Sequence, residues 1–254
     1  MEKGLLTLFT GRNLINLETT ASTNNFASEM LANNEPIEGT AILAEYQRYG
    51  KGQRGNSWIS EYGSNLLVSY IFYPKFLFSK DHFYLNFVMS LACAKTIISF
   101  GVQDVLIKWP NDIYAANRKI AGMLAENTVK GNTIFSTVLG FGININQCEF
   151  PDFTAKATSL NLETGKEFNK IEIFEVLSNH LEKYYLNLKK GNFKVIMDEY
   201  TDILYRKNKL HTYESDGKIF IGKIVNVAED GNLIIEKANG ETRDYRFKEI
   251  KFLI

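Results

Sequence analysis

The chain contains, at residues 50–58, the segment Gly50-Lys51-Gly52-Gln53-Arg54-Gly55-Asn56-Ser57-Trp58, here called the glycine loop. It lies between two apolar runs that are typical of strands, one ending near Gln47 and one at residues 66–73. Connections between paired strands usually have about two to five residues, so this segment is long for a simple turn. Glycine lets backbone N–H groups approach an oxygen-rich ligand, and the cations add positive charge. The segment predicts an anion-binding loop, with a mobile basic surface loop as the alternative.

Two further clusters favour the ligand-binding interpretation, Lys108-Trp109-Pro110-Asn111-Asp112 and Arg118-Lys119-Ile120-Ala121-Gly122. Upstream, Ser22-Thr23-Asn24 precedes a helical pattern, where it is either a ligand-binding segment or a helix N-cap. Gly140 and Gly142 lie two residues apart in a predicted strand, and therefore on one face of it. There they clear room for a ligand or another backbone, or else they mark a bulge.

The apolar periodicity predicts an α+β fold in two parts. Strands are expected at residues 13–17, 40–46, 65–73, 105–109, 120–128 and 133–145, and helices after Asn24 and at 82–100, 171–190 and 193–205. Beyond residue 205, three Asp-Gly or Asn-Gly pairs separate short alternating runs, as in a small antiparallel barrel. The expectation from these patterns is a larger domain at 1–205 and a small antiparallel β-barrel at 206–254.

Composition narrows the classes of partner. Lys and Arg total 29, as do Asp and Glu, so no net charge draws the chain to nucleic acid or to a membrane surface. No leader pattern or bilayer-length apolar run is present in the sequence, and Cys93 and Cys148 suggest reduced thiols. His82, His180 and His211 fit neither a metal set nor a nucleophilic triad. A cytoplasmic protein without a dedicated metal site, nucleic-acid partner or membrane partner is expected.

In order and spacing, these motifs resemble those of the biotin–protein ligase family. The resemblance covers most of residues 15–150 and, loosely, the small barrel; the Lys108–Asp112 and Arg118–Gly122 blocks are its most specific parts. Members join biotin to ATP as biotinyl-5′-AMP and then pass the biotinyl group to one lysine of a carrier domain. The resemblance implies that residues 1–205 form a catalytic domain, with a mixed or antiparallel central sheet flanked by helices, and that the small barrel at 206–254 is SH3-like. It also implies a biotin–[biotin carboxyl-carrier protein] ligase, which forms a C–N bond. Its substrates are biotin and ATP with Mg²⁺, and its partner is the carrier domain of a biotin-dependent carboxylase.

The catalytic assignments follow from where charge develops. Negative charge builds on the α-phosphate during adenylation, so fixed cations should stabilise it, and Lys51, Arg54 and Lys119 are the candidates. Lys119 lies on a strand, and by resemblance it touches the biotin carboxylate and the phosphate; the alternative is a solvated lysine. Asp112 is predicted to accept a proton from the incoming amine or to orient that amine. Its alternative is an Asx-turn residue.

The binding assignments are mostly polar residues and glycines. Biotin is assigned to Ser22, Thr23, Asn24, Gln47, Gly50, Lys51, Gly52, Gln53, Lys119, Gly122, Gly140 and Gly142. ATP is assigned to Arg54, Trp58, Lys108, Asn111, Lys119 and Asn144. Trp58 is expected to stack on adenine, or else to be a core tryptophan, and Asn144 by resemblance contacts phosphate or metal. Magnesium is expected to bind mainly to the phosphates.

Two departures from the family pattern matter. The family often has arginine where this chain has Lys51 and Gln53, and lysine lacks the bidentate fork of arginine. Only 21 residues precede Ser22, too few for a DNA-binding domain, so a monofunctional ligase is predicted, as a monomer or weak homodimer. The rival interpretations are a lipoate–protein ligase of the same fold and a non-catalytic protein that binds biotin or an adenylate.

Overall fold

A computed structural model describes residues 4–151 and 156–253, apart from the side chain of Arg54. The larger sheet consists of β1 (Leu14–Thr20), β2 (Ala41–Gln47), β3 (Asn65–Phe72), β4 (Val105–Lys108), β5 (Asp112–Ala115), β6 (Arg118–Lys130) and β7 (Thr133–Asn144). Its strand order is β1-β2-β3-β7-β6-β5-β4. The β1–β2 pair is parallel and the other neighbours are antiparallel. The predicted mixed central sheet is confirmed.

Helices cover both faces of this sheet. Those that the structure describes are α1 (Thr23–Asn33), α2 (Phe83–Ser99), α3 (Leu160–Thr164), α4 (Lys170–Lys189) and α5 (Phe193–Asp202). Every residue of β3 is buried, because alternate side chains enter two different cores. Tyr70 and Phe72 pack in the main core with α2 and α4, whereas Ile71 packs with Ala27 in a smaller core under α1. The sheet is therefore the middle layer of the fold.

The C-terminal part forms a second, antiparallel sheet. Its strands are β8 (Leu210–Ser215), β9 (Lys218–Val227), β10 (Leu233–Lys237), β11 (Thr242–Tyr245) and β12 (Lys251–Phe252), in the order β11-β10-β9-β8-β12. Asp216 and Gly217 join β8 to β9 with φ of 51° and 71°, the left-handed pair that a two-residue hairpin of type I′ needs. This matches the expected SH3-like barrel. The domain boundary near residue 205 stays a prediction.

The barrel packs directly against the Lys108–Asp112 motif. The indole Nε1–H of Trp109 donates a buried 2.8 Å hydrogen bond to the carbonyl of Gly231, which precedes β10. The ring of Phe247, beyond β11, lies 6.0 Å from the Trp109 ring in an edge-to-face arrangement. Trp109 is therefore a buried anchor between the two sheets, and it brings the barrel next to a motif that the sequence assigned to the site.

Several predicted element ends were wrong, two of them by three residues. The helix expected to reach residue 205 ends at Asp202, because the following residues run beside the edge strand β4. There the Ile107 N–H donates to Ile203 O and the Tyr205 N–H donates to Ile107 O, both at 2.8 Å. The first strand, expected to end at residue 17, continues to Thr20 because it pairs with β2 as far as Gln47.

Within residues 4–151 and 156–253, no helix combines the length and apolar character that crossing a bilayer requires.

Candidate active site

One cleft of about 530 Å³ collects most of the predicted site residues. Those that line it are Ser22, Thr23, Asn24, Gln47, Lys51, Gly52, Gln53, Trp58, Lys108, Asn111, Asp112, Lys119, Gly122, Gly140 and Gly142. Gly50 lines a second cavity on the other side of the glycine loop. Asn144 is buried outside the lining, and the Arg54 side chain lies outside the described part of the chain. Lys51 and Lys119 thus face one space of small-molecule size.

The glycine loop is closed by its own backbone hydrogen bonds. Trp58 N–H donates to Gly50 O at 2.8 Å, and Gly52 N–H donates to Asn56 O at 2.7 Å. Between these pairs, Gln53–Gly55 form one 3₁₀ turn. The loop is therefore a small hairpin with a defined base, in which Lys51 pairs with Ser57, and both Lys51 and Trp58 line the cleft.

One end of the cleft is polar and uncharged. The Thr23 backbone N–H and hydroxyl donate to Gln47 Oε1 at 2.7 and 3.1 Å. Because its oxygen is held in this way, Gln47 keeps its Nε2 near the loop, 3.3 Å from where a Cβ on Gly50 would lie. Ser22 occupies the N-cap position of α1, as the cap alternative expected, but its side chain makes no capping hydrogen bond. These neutral donors and acceptors suit a cyclic urea.

Asn24 supports this end from behind. Its Nδ2 donates to Glu126 Oε2 at 2.7 Å, and its Oδ1 lies 2.6 Å from the Ser69 hydroxyl. Its amide also fills the space over Gly140, where an added Cβ would lie 3.0 Å from Asn24 Cγ. Since protein groups engage both ends of the amide, Asn24 acts as structural support. Direct contact of Asn24 with biotin stays a prediction.

The glycines of β6 and β7 form a platform for Trp58. Gly122 and Gly142 are directly paired across the two strands, and added Cβ atoms would lie 2.9 and 2.5 Å from the Trp58 indole. The expectation that glycine clears room for a ligand or backbone is therefore corrected: an indole and the Asn24 amide fill that room. The bulge alternative is also wrong, because β7 pairs with β3 in continuous register from Thr137 to Asn144.

Trp58 forms part of the cleft wall. It is half-buried and lines the cleft, so the core-tryptophan alternative is wrong. Lys119 Nζ lies 5.5 Å from the centre of the Trp58 ring, within the range of a cation–π contact. The indole and the ammonium therefore face the same space, although stacking of Trp58 on adenine stays a prediction.

Lys119 is fixed in place by contacts of both its side chain and its backbone. Its Nζ lies 2.7 Å from Asp112 Oδ1, and its side chain is about three-quarters buried. Its backbone is bonded to the neighbouring segment on both sides: Lys119 N–H donates to Lys156 O at 2.8 Å, and Thr158 N–H donates to Lys119 O at 2.9 Å. The solvated-lysine alternative is wrong. Asp112 Oδ1 is engaged by Lys119, and an Asx-turn role for Asp112 stays a prediction.

Lys108 occupies a drier part of the cleft. Its Nζ donates to the Tyr114 hydroxyl at 2.9 Å, and it lies 5.5 Å from the ring centre of Phe252 in the barrel. Burial lowers the pKa of Lys108, because the charged form loses hydration, and Asp112 opposes that shift. Burial raises the pKa of Tyr114 to about 12, so Tyr114 stays neutral near pH 7. A role of Lys108 towards ATP stays a prediction.

Two asparagines assigned to ATP donate side-chain hydrogen bonds to backbone carbonyl groups of the protein. Asn111 Nδ2 donates to Met123 O at 2.5 Å, and Met123 N–H donates back to Asn111 O at 3.0 Å, which ties the Lys108–Asp112 motif to β6. Asn144 Nδ2 donates to Thr158 O at 2.9 Å. Among the described residues, Asn144 Oδ1 is a buried atom without a hydrogen-bond partner. Asn144 lies outside the cleft lining, so a contact of this unused acceptor with phosphate or metal stays a prediction.

Residues that the motifs did not identify lie in the cleft or, in the case of Glu126, in the second cavity beside it. The barrel contributes Phe247, Lys248, Ile250, Lys251 and Phe252 to the lining. Glu126, on the same face of β6 as Gly122, lies 3.8 Å from Lys51 Nζ. Counting alternate residues from Gly122 along β6 would have placed Glu126 on the cleft face. Nothing local in the sequence indicates that the barrel reaches the cleft.

The donor set tests the expectation about magnesium. Across the described ranges, no group of three His, Cys, Asp or Glu side chains is close enough to hold a metal ion. The two carboxylates nearest the cleft, Asp112 and Glu126, each have a lysine partner. These residues fit magnesium only as an ion carried in on the phosphates of ATP.

Gly55→Ala is expected to slow turnover without destabilising the fold more than a matched substitution elsewhere. Gly55 has φ of +88°, and nothing lies within 4 Å of an added Cβ, so alanine imposes backbone strain and no clash. Gly240, in the β10–β11 hairpin, has φ of +85° and equally open surroundings. Thermal unfolding should shift alike for Gly55→Ala and Gly240→Ala, whereas only Gly55→Ala should reduce adenylate formation. Equal rates in the two variants would contradict a role for the loop.

Comparisons with known proteins agree with this geometry. The profile of the biotin/lipoate A/B protein ligase family matches residues 17–144. The bifunctional ligase/repressor BirA of Bacillus spizizenii is 29% identical over 248 residues, which cover 95% of this chain and 75% of that protein. The biotin–[acetyl-CoA-carboxylase] ligase of Mycobacterium tuberculosis is 24% identical over 221 residues, covering 85% of this chain and 80% of that one.

Solved structures show the same similarity over almost the whole chain. A biotin protein ligase from Aquifex aeolicus, in complex with biotin and ATP, superposes with a TM-score of 0.78 at 25% identity. The superposition covers 94% of this chain and 98% of that one. Since the family profile spans half of the sequence and includes the glycine loop, Lys119 and the glycine platform, the chain belongs to the biotin/lipoate A/B protein ligase family.

Proposed function

We propose that this protein is an ATP-dependent biotin–protein ligase, which activates biotin as biotinyl-5′-AMP and transfers the biotinyl group to a lysine of a biotin carboxyl carrier protein. The observation that carries this proposal is the layout of one cleft. Its neutral end holds Thr23 and Gln47, and its cationic part holds Lys51 and Lys119. A ligand with an uncharged polar ring at one end and a carboxylate at the other matches that layout. The relatives named above as biotin ligases support it.

In the first step, a carboxylate oxygen of biotin attacks the α-phosphorus of ATP, and the bond to pyrophosphate breaks. Negative charge grows on the phosphoryl oxygens, where a preorganised cation is most effective. Lys119 is such a cation, because its backbone is bonded on both sides and Asp112 orients its ammonium. Magnesium accompanies the triphosphate as part of the substrate and neutralises its charge.

In the second step, a neutral lysine amine of the carrier attacks the acyl carbon, and AMP leaves. A free lysine has a pKa of about 10.4, so the amine must lose a proton before it attacks. Asp112 lies at the edge of the cleft, 2.7 Å from Lys119 Nζ. That ion pair favours an orienting role for Asp112 over that of a general base. The glycine loop, with Trp58 on its platform, covers the mixed anhydride against water in the meantime.

Biotin-dependent adenylation is the direct test. The protein is incubated with biotin, ATP and magnesium; biotinyl-5′-AMP is sought by mass spectrometry, and pyrophosphate release is measured with each component omitted in turn. Release that requires both biotin and ATP is expected. Binding of biotin without any adenylate would instead indicate the non-catalytic interpretation.

The acceptor distinguishes biotin from lipoate chemistry. Purified biotin carrier domain and lipoyl domain are offered in parallel, each with its cognate acid, and modification is followed by intact mass. We expect the biotin carrier domain alone to gain mass. Labelling of the lipoyl domain with the biotin domain left unmodified would show that the lipoate ligase interpretation is correct. Because the proposed partner is a biotin-dependent carboxylase, the ligase must be in the same compartment as that enzyme, and we propose the cytoplasm.

A further inference from the structure

Glu126 lies on β6 between the part of the sheet that α1 covers and the part that lines the cleft. On β6 it follows Gly122 and Leu124 on one face, and its cross-strand neighbour Val138 belongs to the small core beneath α1. Its side chain is about one-third exposed. A carboxylate at this position needs partners, because burial beside an apolar core disfavours a charge. Two partners are present, and each belongs to a different part of the site.

The first partner is Asn24. Its Nδ2 donates to Glu126 Oε2 at 2.7 Å, and the next acceptor, Leu124 O, is much further at 3.5 Å. Asn24 is buried, and its other amide end faces Ser69, which in turn lies 2.7 Å from the Thr23 hydroxyl. Glu126 thus ends a series of polar contacts that runs through Asn24, Ser69 and Thr23 to Gln47 at the neutral end of the cleft.

The second partner is Lys51 of the glycine loop, whose Nζ lies 3.8 Å from Glu126 Oε1. Lys51 lines both the cleft and the second cavity, whereas Glu126 lines only the second cavity, on the outer side of the loop. The carboxylate therefore attracts the ammonium away from the space in which an anionic ligand would lie. An incoming phosphate or carboxylate competes with Glu126 for the same ammonium.

We propose that Glu126 is a positioning residue with two functions: it holds the Asn24 amide behind the biotin end, and it competes with the bound anion for Lys51. The proposal rests on the proposed ligase function. It implies that Glu126 weakens ATP binding while it supports biotin binding, so that the two substrates respond in opposite directions when the residue is changed.

Two substitutions separate these functions. Glu126→Gln keeps an oxygen that accepts from Asn24 but removes the charge that holds Lys51. Exposed ion pairs contribute little, so binding of an ATP analogue should tighten by about two- to five-fold, with biotin affinity unchanged. Glu126→Ala leaves the buried Asn24 donor without a partner, so biotin affinity should fall by about ten-fold or more.

Calorimetry with biotin and with α,β-methylene-ATP plus magnesium measures both affinities without turnover. The variants Lys51→Met and Lys51→Met/Glu126→Gln test whether the tighter binding of the ATP analogue depends on Lys51. In the Lys51→Met background, Glu126→Gln should leave the affinity for the analogue unchanged. Glu241→Gln is the matched control, since Glu241 pairs with Lys237 at 2.9 Å in an exposed barrel hairpin. It should bind both ligands like wild type.

The proposal is overturned if Glu126→Gln binds the analogue like Glu241→Gln, if its gain persists without Lys51, or if Glu126→Ala keeps wild-type biotin affinity. If the wild-type protein binds both ligands and the variants behave in one of these ways, only the proposed role of Glu126 is contradicted and the ligase function stands. A wild-type protein that binds neither ligand contradicts the ligase function, and the role of Glu126 with it.

Discussion

Lys119→Ala is expected to reduce formation of biotinyl-5′-AMP by about 10²-fold or more, the usual cost of removing one preorganised group that stabilises transition-state charge. The loss should appear mainly in kcat, because the charge that Lys119 meets develops during the reaction. The fold should survive, since the hydrogen bonds that fix β6 at this point use the backbone of Lys119 and not its ammonium. Biotin-dependent pyrophosphate release and thermal unfolding measure the two effects.

Lys130→Ala is the matched control for this variant. Lys130 is at the far end of the same strand, exposed and 3.5 Å from the ring centre of Phe135. The Lys130→Ala substitution removes an equal charge from β6 outside the cleft, so wild-type rates of adenylate formation are expected. Lys119→Arg should recover only part of the activity, because a planar guanidinium cannot reproduce the contact of a compact ammonium with Asp112. Near-normal turnover in Lys119→Ala would remove Lys119 from the mechanism.

Gly142→Val is expected to abolish measurable adenylation and to destabilise the fold by about 1–3 kcal/mol, the typical cost of forcing extra volume into a packed site. An added Cβ would lie 2.5 Å from Trp58 Cε2, so the indole must leave its platform. Valine itself suits a strand, which means that the loss cannot be attributed to strand propensity. Urea unfolding and adenylate formation by mass spectrometry report the two effects.

A double-mutant cycle with Trp58→Ala tests the steric explanation. If the clash is with the indole, the stability cost of Gly142→Val should largely disappear in the Trp58→Ala background, because the two residues are in contact. Activity should stay low in both Trp58→Ala variants, since the cleft wall is missing. Additive stability losses would show that valine at position 142 disturbs the sheet and not the loop.

Local sequence patterns selected residues that the fold brings into one cleft, where motif and strand geometry coincide. Gly122 and Gly142 were recognised from motif and spacing, and the cleft holds both. The interpretation of their role was incomplete, because a missing side chain shows where space is needed but not what fills it. Trp58 is 84 residues from Gly142 in sequence, and only the folded loop brings its indole onto that glycine. The same reason explains why Asn24 was assigned to biotin when both ends of its amide are engaged by protein groups.

Periodicity and turn residues were enough to predict most of the strands, the helices and a small C-terminal barrel, and the resemblance of the glycine and lysine motifs to a known family implied the mixed sheet and the chemistry to expect. These features depend on near neighbours along the chain, and near neighbours are visible in the primary structure. Pairs far apart along the chain were not visible: Glu126 with Lys51, Trp109 with Gly231, and the barrel residues with the cleft. Such contacts depend on strand order and on how the two sheets pack, which emerge only when the whole chain buries its apolar surface together.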